Sequence, residues 1–75
     1  MKKDKKLDLS IRDLEIIQNA AYFTTFRFNG PFDRDRREFP SLIEARTDAG
    51  DDPRALVYAV CAMEMTAHVP RDYVA

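Results

Sequence analysis

An α+β fold is predicted by three features of this sequence: two serine-capped helical segments, an aromatic and β-branched run between them, and an apolar run after the second. In chain order they read α-β-β-α-β-β. The economical packing is a small two-layer domain, an antiparallel sheet of three to four strands with one or two helices on one face. Seventy-five residues hold one core and not two. The domain is assigned to residues 10–75, behind a flexible arm of basic and acidic residues at 1–9.

The first helix is predicted to start at Ser10, whose hydroxyl is placed to cap it, with Asp13 three residues on as a shortened capping box. Ile11, Leu14 and Ile17 recur at helical spacing with Ile16 beside them, which predicts an amphipathic helix of about ten residues. A competing short strand, Leu7-Asp8-Leu9-Ser10-Ile11, alternates strictly. From Tyr22 to Phe28 the chain reads Tyr-Phe-Thr-Thr-Phe-Arg-Phe, side chains that fit a pleated surface better than a helix. Tyr22, Thr24, Phe26 and Phe28 would share one face, and Phe23, Thr25 and Arg27 the other. Asn29-Gly30-Pro31 then supplies a turn. Phe32 to Phe39 is expected to return as an edge-like hairpin arm, its exposed edge blunted by Asp33-Arg34-Asp35-Arg36-Arg37-Glu38.

The second helix has the clearest local signal. Ser41-Leu42-Ile43-Glu44 is a reciprocal capping box behind Pro40, and Gly50 is placed to end the helix in the left-handed region. Leu42, Ala45 and Ala49 form a narrow apolar stripe, suited to a helix lying close on a sheet. Asp48, Asp51 and Asp52 crowd its C-terminal end, where the helix dipole disfavours them. That local conflict reads either as a functional mark or as a solvated loop ahead of Pro53. Arg54 to Cys61 is apolar on both alternating faces, the pattern of a central strand. Its second face needs covering by a loop, a helix or a partner. A tight connection at Ala62–Glu64 leads to a last strand, Met65 to Val69, stopped by Pro70. Phe26, Phe28, Leu42, Ala45, Leu56, Tyr58 and Val60 are the expected core, and Val57 is expected to be buried or at an interface.

Catalytic motifs are sparse. The two glycines, Gly30 and Gly50, are too far apart for a phosphate loop, and there is no Cys-x-x-Cys or His-x-x-x-His pair. Cys61 and His68, on neighbouring strands, could approach as a nucleophile pair, but the simpler reading is a small buried hydrophobe and a partly exposed strand residue. Asp33, Asp35 and Glu38 are interleaved with arginines and read as a solvated face. The expectation is a non-enzyme, with no catalytic, cofactor-binding or metal-binding residue.

Charge and composition narrow the partners. Twelve basic against thirteen acidic side chains leave a net charge of −1, so no global field recruits nucleic acid or an anionic membrane. No apolar run reaches the roughly 18–20 residues of a membrane helix. The basic start is not followed by the apolar stretch of a signal peptide, and the single Cys61 fits a reducing compartment, so a cytoplasmic location is expected. Phe23, Arg27, Phe32, Arg34, Arg36, Arg37 and Arg54 are the candidate partner-binding residues, arginines and aromatics of the kind enriched at interfaces. They predict a small protein acting through protein–protein contacts as an adaptor, regulator or inhibitor, of a kind frequent on phages and mobile elements. The alternative is a small nucleic-acid-binding regulator that uses an arginine/aromatic sheet surface, with Lys2, Lys3, Lys5 and Lys6 adding phosphate contacts. The two-sided apolar strand also predicts a homodimer.

Overall fold

Ser10 and Ser41 both act as caps. In the computed structural model, which describes residues 9–63 and 65–73, the Asp13 amide donates to Ser10 Oγ at 3.1 Å and the Glu44 amide to Ser41 Oγ at 3.2 Å. Each hydroxyl satisfies one of the amides that a helix start leaves without a partner. The helices are α1, Ile11–Gln18, and α2, Leu42–Ala49. α2 stops at Gly50, whose φ of 56° suits a residue without a Cβ and whose amide bonds Arg46 O at 2.8 Å. The strands are β1, Ala20–Gly30; β2, Asp33–Phe39; β3, Ala55–Cys61; and β4, Thr66–His68. The predicted order α-β-β-α-β-β is the observed one. Leu9 packs half-buried against the core, one residue ahead of the expected start of the domain, and the rest of the predicted arm lies outside the described residues. Ile11 is helical, so the competing strand does not form there. Among the described residues no helix is long and apolar enough to cross a membrane.

The four strands form one antiparallel sheet in the order β2-β1-β3-β4. β1 and β3 are central, as the two-sided apolar run predicted for β3. Pro31 and Phe32 make the turn between β1 and β2, and a register shift at Phe28/Gly30 leaves Asn29 unpaired, a bulge at the hairpin's tip.

Period-two alternation divides the side chains between two unlike faces. Phe23 on β1, Ala55, Val57 and Ala59 on β3, and Ala67 on β4 join Ile16 and Ile17 of α1 and Ala45 and Ala49 of α2 in a single buried cluster. Both helices therefore lie on this face. The opposite face carries Tyr22, Thr24, Phe26 and Phe28 of β1 and Leu56, Tyr58 and Val60 of β3, with no helix over it.

The expected core is corrected accordingly. Ala45, Val57 and Val60 are buried, but Phe26, Leu42, Leu56 and Tyr58 are only half-buried and Phe28 is 46% exposed. The physical reason is which face the helices cover. α2 offers alanine methyls to the sheet, and a helix this close fits over small strand residues, not over a row of aromatic rings. Ile11, expected on the apolar stripe of α1, is 77% exposed, and Ile16 and Ile17 do the packing.

The two faces make opposite demands on stability. Phe23→Ala should cost about 3–5 kcal/mol by leaving a cavity under the helices. Phe28→Ala, on the same strand, should cost less than about 1 kcal/mol. Urea unfolding of the two variants checks the contrast.

Candidate functional site

The helix-covered face ends in an ionic cluster that accounts for the acidic end of α2. Arg27, on β1, reaches Asp48 Oδ2 of α2 through Nη1 and Asp52 Oδ2 in the following loop through Nε, each at 3.1 Å, and its Nη2 donates to Asp48 O. Thr25 Oγ1 donates to Asp48 Oδ2 at 2.9 Å, and Arg37 of β2 reaches Asp48 Oδ1 at 3.1 Å. Asp52 in turn accepts the Arg54 amide at 2.9 Å. Burial pushes the Asp48 carboxyl up, but Arg27, Thr25 and Arg37 outweigh it and hold the pKa below the ordinary carboxylate value. The Arg54 amide does most to lower Asp52, with Arg27 assisting against burial. Two of the three acids that oppose the helix dipole, Asp48 and Asp52, are thus held by cations, while Asp51 stays exposed. This cluster is the clasp between α2 and the sheet.

The opposite face is organised in lateral rows set by the strand register. One row runs Glu38–Thr24–Tyr58–His68, and the next runs Arg36–Phe26–Leu56. Phe28 sits beside Arg34, and Tyr22 leads through Val60 to Thr66. All of these side chains except Glu38, Leu56 and His68 line an open concavity of about 590 Å³. The Phe26 and Phe28 rings are nearly parallel, 10° apart in plane with centroids 6.2 Å apart. Tyr58 meets Phe26 edge-on at 5.6 Å, and His68 leans on Tyr58 at 5.4 Å. The Arg36 guanidinium lies 5.9 Å from the Phe26 centroid, a cation–π approach, while its Nη1 donates to Glu38 Oε2 at 2.6 Å. Arg34 makes no ion pair among the described residues. At the floor, Thr24 is 1% exposed and its hydroxyl has no hydrogen-bond partner among the described residues.

The structure disperses the seven arginines and aromatics singled out in the sequence. Arg34 and Arg36 line the concavity. Phe23 is corrected from a partner-binding position to a core one: it faces the helices at 9% exposure. Arg27 and Arg37 point to the same side and are spent on Asp48. Arg54 pairs with Asp52 in the loop ahead of β3. Phe32, fully exposed, stands at the hairpin tip. The pleat explains the split, because residues one apart on a strand face opposite ways. Tyr22, Phe26, Phe28 and Tyr58, over the buried Thr24, are the residues of this face that sequence reasoning missed or assigned to the core. The signal for them was on the other face, where alanines match the alanine stripe of α2.

The same alternation separates Cys61 from His68. Cys61 packs toward the helices, whereas His68 sits opposite Tyr58 on the uncovered face, so the nucleophile pair suggested by the sequence is not assembled. Compared with protein-family models, curated proteins and solved structures, the chain matches no family model, no curated protein and no solved structure.

Two measurements test these assignments. A carboxyl with a lowered native pKa stabilises the fold at pH values above its unfolded pKa, and that stability is lost as pH falls through the native value. The urea midpoint should therefore drop on acidification below the ordinary aspartate pKa of about 3.9. Asp48→Asn should flatten that drop while costing about 1–3 kcal/mol at neutral pH through broken charge-assisted bonds. Thr24→Val, which removes an unpaired buried hydroxyl at nearly constant volume, should raise stability by about 1 kcal/mol in thermal unfolding.

Proposed function

We propose that the chain is a small non-enzymatic binding protein, of the adaptor, regulator or inhibitor type, whose working surface is the uncovered face of its sheet. One observation carries this reading. The two central strands bury one face under both helices and leave on the other a cluster of four aromatic rings, Tyr22, Phe26, Phe28 and Tyr58, edged by Arg34 and Arg36. Central strands are normally the best-covered part of a two-layer domain, because that is where the most apolar area can be removed from water. Here that area stays open. Aromatic and arginine side chains at the middle of a patch are the types that carry binding energy at interfaces. The partner is a macromolecule: a different protein, a second copy of the chain or a nucleic acid. The free thiol of Cys61, half-buried at the end of β3, suits a reducing compartment such as the cytoplasm.

Site-specific photo-crosslinking separates the faces whatever the partner is. A benzophenone amino acid placed at Phe28, on the uncovered face, should give adducts in cells that carry the gene. The same probe at Ile43, exposed on α2, should give none. Adducts from position 43 alone would move the working surface to the helices.

A further inference from the structure

Resting on that reading of the uncovered face, we propose that its partner is a single-stranded nucleic acid, with unpaired bases laid on the aromatic rings and phosphates held by the arginines at one side.

Charge is the first argument. In the sequence, the acids among the arginines of β2 oppose a polyanionic partner. The pleat removes half of that objection, because Asp35 pairs in register with Arg27 and is in contact with Arg37 at 3.3 Å. Among the described residues the uncovered face carries Arg34, in no ion pair, and Arg36, which is paired with Glu38 at 2.6 Å. Asp48 and Asp52, the two acids with lowered pKa, are held in the clasp under the helices. A chain with a net charge of −1 thus keeps a surplus of one arginine beside the aromatic cluster among its described residues.

Geometry is the second argument. The Phe26 and Phe28 rings are stacked nearly parallel, with centroids 6.2 Å apart. Consecutive bases in a stacked strand are separated by about 3.4 Å. The spacing is wider than base stacking, so the ring pair suits the unpaired, spread bases of an extended strand, which can pack on its open faces and edges. Duplex bases have their faces stacked on one another and cannot offer them to a sheet, which leaves unpaired strands as the fitting form. Arg34 and Arg36 sit in register beside Phe28 and Phe26, so each ring has a cation on the same side. A backbone following β2 would meet both arginines while its bases turn toward β1.

The floor supplies the third. Thr24 holds a buried hydroxyl without a partner in the middle of the surface, next to Tyr58 and Glu38 in register. Buried hydroxyls are ordinarily satisfied, and a base edge with donors and acceptors would satisfy this one.

Fluorescence anisotropy with labelled dT12 and rU12, beside a duplex of equal length, tests the proposal and tells DNA from RNA. Single strands should bind at 50 mM salt, at least tenfold more tightly than the duplex. Phe26→Ala and Phe28→Ala should each weaken binding roughly 5- to 100-fold. Arg34→Ala with Arg36→Ala should reduce the log–log salt slope by about 1.4, at about 0.7 per contact on single strands. Thr24→Val should weaken binding severalfold while raising the melting temperature, a pairing that a merely structural threonine would not give. Ile43→Ala should bind as the parent does. Every variant is compared at equal folded fraction by circular dichroism. No binding to either strand, equal affinity for duplex, or indifference to the aromatic and arginine substitutions would overturn the assignment. In that event, nuclease-resistant protein adducts from a benzophenone at Phe28, to itself or to another chain, would keep the surface and replace its partner. A lack of any adduct there would remove the surface as well.

Discussion

The closeness of α2 to the sheet determines most of what this chain looks like. Ala45 and Ala49 are the residues it buries, and Ala55 and Ala59 of β3 belong to the same cluster, with Ala45 and Ala59 fully excluded from solvent. Small residues on both sides let helix and sheet approach, and a methylene added at the fully buried Ala45 or Ala59 would have to push them apart. That contact selects which face of the strands is covered. The larger side chains of the same strands, four of them aromatic, are consequently left on the other face. The uncovered surface is thus a result of how the core is built and not an addition to it.

Alanine contacts alone would hold α2 weakly, since each removes little apolar area from water. The clasp around Asp48 adds what they lack. Arg27 reaches α2 from the middle of the sheet, Arg37 from its edge, and Thr25 beneath them donates to the same carboxylate. Arg46 and Arg71 extend this polar belt by donating to backbone carbonyls, at Pro70 and at Gly50 and Asp52. The C-terminal segment is drawn in with them, and Val69 and Tyr73 complete the core. Arginine suits this work because its planar fork can serve two acceptors at once.

Much of the architecture was legible from local chemistry. Both serine caps, the glycine that ends α2, the turn at Pro31 and the central position of β3 each follow from a few neighbouring residues. The faces were harder. Alternation placed Phe26 and Phe28 together and Phe23 with Arg27, but which set lies inward is decided by the helix that comes to rest there. Bulk favoured the wrong set: a row of rings looks like a core until the alanine stripe of α2 is matched to the alanines of β3. For the same reason the arginines divided as they did. Arg27 looked available because its partners, Asp48 and Asp52, are more than twenty residues away in sequence, and no local pattern joins them. The acids at the end of α2 were recognisable as a conflict, and for Asp48 and Asp52 the conflict is resolved by those same long-range pairs. Thr24 carried no sequence signal at all, since an unpaired hydroxyl is visible only once its surroundings are.

The strand order has a consequence for how the chain reaches this state. β1 with β2, and β3 with β4, are hairpins whose partners adjoin in sequence, so their closure asks little loss of chain freedom. β1 with β3 is different. Its register pair Arg27↔Ala55 encloses the whole returning arm and α2, and it is the only strand pairing among the described residues that joins distant parts of the chain. Neither hairpin owns a complete core: Phe23 belongs to one, Val57 and Ala59 to the other, and the helices need both. Two-stranded ribbons on their own are marginal in water. The zipper between β1 and β3 is therefore where this domain commits to folding as a unit, and the clasp at Arg27 sits at one end of it.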